Sequence, residues 1–235
     1  MKNLILASTS TVHGKAYLEY ILPELSLFFK GIKEILFIPY ARPSGLSYED
    51  YTEKVKSSFS KININVKGIH EFKNPIDAVN NAKAIFTGGG NTFLLVKTLY
   101  EYKLITAIKN VVENGVLYFG TSAGSNIAGL TIQTTNDMPI VYPPSFNTLG
   151  LINFNLNPHY LDPDVNSTHM GETRETRINE FHTLNSLPVI GLREGSWLFV
   201  NDTKIVLKGT LPARLFLPNK PAIEVQPDTD LSFLI

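Results

Sequence analysis

Two hydrophobic patterns alternate over the first 120 residues. Short, nearly continuous apolar runs at Leu4–Ala7, Glu34–Pro39, Ile62–Val66, Ala84–Thr87 and Val116–Gly120 have the length and composition of buried strands. Between them, over residues 15–29, 47–60, 75–82 and 91–113, apolar positions recur at helical spacing, and the last stretch divides into two helices near Tyr102. Strands alternating with such helices predict an α/β three-layer sandwich with a mainly parallel sheet. A sheet of that kind takes its ligand at the carboxyl ends of its strands. The loops to watch are then Ser8–Gly14, Tyr40–Ser47, Gly88–Asn91 and Thr121–Gly124.

Beyond Leu130 the pattern loosens. Prolines make Ile140–Asn147 an irregular loop, Phe154–His159 reads as a strand and residues 172–185 as a helix. From Val189 onward the chain reads as short strands separated by Asn201-Asp202, Gly209 and Pro218. The sequence has no internal repeat, low-complexity tract or linker, so residues 1–235 are expected to form one α/β domain.

Composition narrows the function. With 21 basic and 21 acidic residues the net charge is zero, which argues against a nucleic-acid partner. No apolar run reaches the roughly 18 residues of a membrane span, and the apolar start reads as a first strand rather than a signal segment. There is no cysteine, which excludes disulfides, thiolate metal sites and a cysteine nucleophile, and fits a cytoplasmic location. The 16 lysines leave a gap between Lys109 and Lys204, in which Arg174, Arg177 and Arg193 fall. Lysine marks solvated surface, so this span is expected to line a cleft.

Within that span, Gly120-Thr121-Ser122-Ala123-Gly124 fits G-x-S-x-G after a strand and before a short helical run. In that context the pattern is a nucleophile elbow, its serine exposed on a tight turn and its helix N-terminus lending positive potential. Thr87-Gly88-Gly89-Gly90-Asn91 is a second glycine loop at a strand end; it matches neither nucleotide-binding fingerprint, and beside a serine its natural use is an oxyanion hole.

A serine nucleophile needs a base and a group that orients the base. Of the five histidines, His159 ends an apolar strand and should project from the same sheet edge as Ser122. His182 falls on the polar face of its helix and reads as solvated, His169 lies in a polar loop, and His13 and His70 lie in early loops without an obvious partner. For the orienting acid, Glu194 follows a late strand and precedes Gly195, which permits an unusual turn; Asp162 and Asp164 compete. At 100° per residue, Arg174, Arg177, Ile178, Phe181 and Leu184 share one helix face, so two arginines are expected to point inward near a helix N-terminus. That placement opposes the macrodipole and calls for a compensating anion, from substrate or from an internal acid such as Glu172 or Asp137.

These residues together resemble the peptidase E family of α-aspartyl dipeptidases. The resemblance runs over nearly the whole chain. It is carried by Gly88-Gly89-Gly90-Asn91-Thr92-Phe93, Gly120-Thr121-Ser122-Ala123-Gly124-Ser125-Asn126, Thr134-Thr135-Asn136-Asp137-Met138-Pro139-Ile140-Val141, Asn157-Pro158-His159, Gly171-Glu172-Thr173-Arg174 and Glu194-Gly195-Ser196-Trp197. Thr121 departs from the family, standing where an aromatic residue is usual. The resemblance implies a fold like that of class I glutamine amidotransferases, and Ser122, His159 and Glu194 as nucleophile, base and acid. It implies the Gly90 and Ala123 amides as oxyanion donors, and Arg174, Asp137 and Asn91 as substrate-binding residues. The implied partner is a small Asp-Xaa peptide, with no metal or other cofactor, no nucleic acid and no membrane, in a monomer or small homo-oligomer. The order Ser, His, Glu differs from that of α/β-hydrolases, whose acid precedes the histidine. Competing readings are a cyanophycinase-like β-aspartyl hydrolase, an esterase built on Ser122, Asp162 and His182, and a non-catalytic small-molecule binder.

Overall fold

The computed structural model describes residues 1–234 except 165, 167 and 169, so His169 lies outside the described residues. The first half of the chain runs β1 (Asn3–Ala7), α1 (Leu22–Phe28), β2 (Glu34–Ile38), α2 (Tyr48–Phe59), β3 (Asn65–Gly68), α3 (Pro75–Asn81), β4 (Ala84–Thr87), α4 (Thr92–Glu101), α5 (Leu104–Glu113), β5 (Leu117–Thr121) and α6 (Ala123–Asn126). The second half runs β6 (Asn155–Pro158), α7 (Arg174–Leu184), β7 (Val189–Leu192), β8 (Ser196–Asn201), β9 (Lys204–Gly209), β10 (Ala213–Phe216) and β11 (Ile223–Val225). A large sheet has the order β3-β2-β4-β5-β1-β8-β9 and a smaller one the order β11-β10-β7-β6. The first five strands of the large sheet are mutually parallel, and β8 and β9 extend it antiparallel.

Alternation along the strands builds two cores on the large sheet. Leu4 and Leu6 of β1 face one way, with Ile85, onto α3, α4 and α5; Ile5 and Ala7 face the other way, with Phe37 and Phe86, onto α1 and α2. Phe86 stacks on Phe119 at 4.5 Å and is fully buried. Deleting such a ring costs about 3–5 kcal/mol.

The sequence reading departs from this architecture in two places. The stretch 15–29 is helical only from Leu22, because Leu18 takes a positive φ of 59° and its N–H turns back to the Ser10 carbonyl. The strand expected at Ile62–Val66 begins at Asn65; Ser60–Ile62 continues α2 as a 3-10 turn, which the left-handed Asn63 ends.

Strand register brings the functional loops together. Ala7 of β1 pairs with Thr121 of β5, and Thr87 of β4 pairs with Gly120. Ser8, the Gly88–Gly90 loop and Ser122 are therefore neighbours at one edge. In the small sheet Pro158 of β6 pairs with Leu192 of β7, so the residues that follow, His159 and Glu194, leave their parallel strands side by side.

Candidate active site

Ser122 has φ 53° and ψ −113°, a conformation L-residues avoid. The turn is tight because its flanks touch backbone. A Cβ on Gly124 would stand 2.1 Å from the Thr87 carbonyl oxygen, and one on Gly120 would stand 2.5 Å from the Gly124 oxygen. Two buried hydroxyls clamp the turn. Tyr118 donates to the Gly124 carbonyl at 2.7 Å, and Ser125 donates to the Ala7 and Gly120 carbonyls at 2.7 and 2.8 Å. Strain of this kind costs on the order of 1–3 kcal/mol and persists only where its surroundings enforce it.

The Ser122 hydroxyl lies 3.0 Å from His159 Nε2, and His159 Nδ1 lies 2.7 Å from Glu194 Oε1. With Nδ1 donating to the carboxylate, Nε2 is left as the acceptor for the serine hydroxyl. His159 and Glu194 are partly open to solvent, with 38% and 51% of their side chains exposed. Glu194 leans on a turn made at Gly195, whose φ is 91°. Burial and the nearby Glu194 push the Tyr20 phenol above the usual tyrosine range.

The glycine loop meets the nucleophile directly. A Cβ on Gly89 would come within 2.9 Å of Ser122 Cβ, and one on Gly90, at φ 145°, would strike the Ala41 carbonyl at 2.2 Å. Among the described residues, neither the Gly90 nor the Ala123 amide is spent on a backbone hydrogen bond. The helix after Ser122 is only the four residues Ala123–Asn126, so the positive potential expected there comes from individual amides and not from a helix macrodipole.

Beside Ser122 a small cleft is lined by Thr92, Asn126, Thr135, Asp137 and His159. All of these except Thr92 fall in the lysine-free span. Asp137 accepts from the Thr92 amide at 2.7 Å and from its hydroxyl at 2.5 Å, which fixes one carboxylate face and leaves the other to the cleft. Asn126 is 1% exposed, and its Oδ1 has no partner among the described residues. Asn91 caps α4, accepting from the Leu94 amide at 3.0 Å and donating to the Met138 carbonyl at 2.8 Å; it holds the cleft wall together.

Arg174 opens α7 and is half-buried, and among the described residues its Nε has no acceptor. Burial first, then the neighbouring Arg177, pulls its guanidinium below the usual arginine range, and Asp137 acts in the opposite direction. Of the other residues expected on that inward face, Ile178 is buried and Phe181 packs beside it, but two do not follow. Arg177 is exposed and faces Glu172 at 3.5 Å, and Leu184 is 91% exposed. The inward position goes instead to Glu175, which meets Arg214 at 3.4 Å. The buried stripe of α7 is little more than Ile178, so helical phase alone overstated its width. His182, read as solvated, is half-buried and bonded to the Leu187 carbonyl at 2.9 Å.

The competing acid has other work. Asp162 binds Arg193 with both oxygens, at 2.7 and 2.8 Å, and Arg193 also reaches Glu224 at 2.7 Å. Asp162 and His182 therefore do not converge on Ser122, and Arg193 is saturated by acids.

Sequence reasoning passed over two supports. Ser8 accepts from the His159 amide at 2.9 Å and donates to the Leu192 carbonyl at 2.7 Å. Asn136 and Asn157 exchange side-chain hydrogen bonds at 3.2 and 2.9 Å, and Asn136 also holds the Pro158 carbonyl at 2.8 Å. The position of Ser8 at the end of β1 was the available signal. Among the described residues, no three histidine or acidic side chains gather as a metal site. No helix among them is long and apolar enough to cross a membrane.

Residues 4–208 match the model of peptidase family S51. The chain is 46% identical to "Peptidase E" of Streptomyces coelicolor over 233 residues, 99% of this chain and 95% of that one. It is 45% identical to a Drosophila melanogaster protein named "Probable alpha-aspartyl dipeptidase", over 100% of this chain and 98% of that one. A crystal structure of a peptidase from an acI-B1 Actinobacterium superposes with a TM-score of 0.72 at 18% identity, covering 99% of this chain and 97% of that one, and so shares the fold. The match over residues 4–208, with relatives 45–46% identical over nearly the whole chain, places the chain in peptidase family S51.

Proposed function

We propose that this peptidase is a serine exopeptidase that releases aspartate from the N-terminus of Asp-Xaa dipeptides. The observation that carries the reading is the line from Ser122 Oγ to His159 Nε2 to Glu194 Oε1, at 3.0 and 2.7 Å, on a strained turn. Ser122 attacks the carbonyl carbon that follows the aspartate. His159 takes its proton and returns it to the departing amine, and Glu194 holds the imidazole tautomer. The Gly90 and Ala123 amides receive the oxyanion, a role supported by their freedom from backbone acceptors among the described residues. A water then repeats the sequence and frees the acid.

Arg174 takes the side-chain carboxylate of the substrate aspartate, and Asp137 takes its α-ammonium. The Arg174 Nε, without a partner among the described residues, and the Asp137 carboxylate lining the cleft beside Ser122 support this division. Asn91 serves from behind, by fixing α4 and the loop at Met138 that carry this wall. Cytoplasmic residence and a monomer or small homo-oligomer belong to the same reading. The names of the relatives from Streptomyces and Drosophila favour it too. The test is hydrolysis of an Xaa-Leu panel with α-linked and β-linked Asp-Leu included. The expected result is cleavage of α-linked Asp-Leu alone. Cleavage of the β-linked isomer in its place would assign the enzyme to isoaspartyl links.

A further inference from the structure

The recognition groups described so far, Arg174 and Asp137, address the half of the substrate that becomes the acyl-enzyme. Arg42 follows β2 in the loop whose Ala41 carbonyl packs against Gly90 and accepts from the Asn91 amide at 2.7 Å. The Arg42 guanidinium lies 4.7 Å from the centroid of the Tyr51 ring. The Tyr51 hydroxyl donates to the Gly89 carbonyl at 3.3 Å, and Gly89 abuts Ser122. Three successive contacts thus connect Arg42 to the nucleophile, on the face of the sheet that carries α1 and α2 and away from Asp137.

Arg42, like Arg174, is placed differently from the other three arginines. Arg177 faces Glu172, Arg193 binds Asp162 and Glu224, and Arg214 lies between Glu175 and Glu224. Among the described residues, no acid pairs with Arg42, and its Nε is enclosed without an acceptor. Tyr51 is fully buried and its ring is wedged edge-on against Phe37 at 5.0 Å, so the platform under the guanidinium is rigid. A guanidinium stacked on a fixed ring keeps its fork oriented for a planar anion.

A dipeptide has one anion in the right place. Its C-terminal carboxylate lies a single residue beyond the scissile carbonyl, roughly 3.3–3.6 Å of extended chain. A longer peptide offers a neutral amide there. We propose that Arg42 binds the C-terminal carboxylate of the dipeptide, so that the site recognises the length of its substrate as well as its first residue. The proposal rests on the Asp-Xaa reading above.

The test compares Asp-Leu with Asp-Leu amide, which lacks the terminal charge, on the wild-type enzyme and on Arg42→Ala and Arg42→Gln. A charge-assisted fork predicts that the wild type prefers the free acid at least about tenfold in kcat/KM. Arg42→Ala should lower kcat/KM for Asp-Leu by about ten- to a hundredfold, mostly through KM, and that for the amide by less than about threefold. If the alanine variant does not fold, the ratio in Arg42→Gln decides in the same way. An equal fall on both substrates, or no fall on either, overturns the carboxylate assignment and leaves the Asp-Xaa reading standing. Failure of the wild type to cleave either substrate overturns both.

Discussion

The Ser8 hydroxyl, at the end of β1, accepts a hydrogen bond from the His159 amide at 2.9 Å. His159 has a positive φ of 55°, and the same hydroxyl donates to the Leu192 carbonyl two residues before Glu194. One buried side chain thereby sets the spacing between the two outer members of the line that ends at Ser122. Ser8→Ala leaves the His159 amide unsatisfied, while the Leu192 carbonyl keeps the Tyr160 amide at 3.0 Å, at a cost of about 1–3 kcal/mol. It should lower kcat more than it raises KM, because it displaces the base and leaves the binding groups in place. Denaturant unfolding and steady-state kinetics on Asp-Leu check both effects, and unchanged kcat would show that His159 is held by other contacts.

Ser122→Ala and His159→Ala should each reduce turnover on the order of ten-thousandfold or more, and the double variant should be little worse than either. Groups that act as one unit are lost together. Additive losses in the double variant would mean that the two residues act separately.

Glu194→Gln should be milder than Ser122→Ala, since nucleophile and oxyanion donors survive it. Asp162→Asn should act on stability and spare kcat. The Arg193 fork holds the Asp162 carboxyl below the usual carboxylate range. A depressed folded-state pKa contributes stability that is present above the unfolded value and lost as pH falls through the folded one. Wild-type unfolding curves should therefore weaken below roughly pH 4, and Asp162→Asn should flatten that acid limb. The effect is small because half of the Asp162 side chain is exposed. An acid limb identical in the two proteins would remove the pair from the stability account.

Arg174→Ala should collapse selectivity. Asp-Leu should lose about a hundredfold or more in kcat/KM, the equivalent of roughly 3 kcal/mol, while Asn-Leu changes little. Equal losses on both substrates would make Arg174 a structural residue.

Gly90→Ala should reduce kcat sharply without abolishing folding. Its Cβ would meet the Ala41 oxygen at 2.2 Å and its φ of 145° suits glycine alone, so the amide aimed at the oxyanion must move. A variant with wild-type kcat would move the oxyanion contact to Ala123 alone.

Much of this was readable in the chain. Ala84–Thr87 is a strand as expected, and the 91–113 stretch breaks into two helices where the pattern weakens near Tyr102. Ser122, His159 and Glu194 stand out because each follows a strand, and the existence of those strands is legible from periodicity even where their exact bounds are not, as at Asn65. What periodicity could not locate was partnership. Arg177 and Arg174 occupy neighbouring turns of one helix, yet one faces Glu172 in solvent and the other is half-buried and feels the charge of Asp137. That distinction depends on the packing of α7, which carries only one fully buried residue. The pairing of Arg193 is hidden in the sequence because Asp162 and Glu224 are 31 residues away from it in opposite directions along the chain. Ser8 escaped for the same reason, since its bond to His159 spans 151 residues.

The left-handed backbone at Ser122 has a consequence for how this protein can be improved. A side chain at φ 53° is penalised, and glycine there is not. Ser122→Gly should then melt at a higher temperature than the active protein while hydrolysing nothing. Heat tolerance and turnover pull in opposite directions at this residue. A screen for thermal resilience alone would enrich inactive molecules altered at this position, unless hydrolysis were selected in the same round.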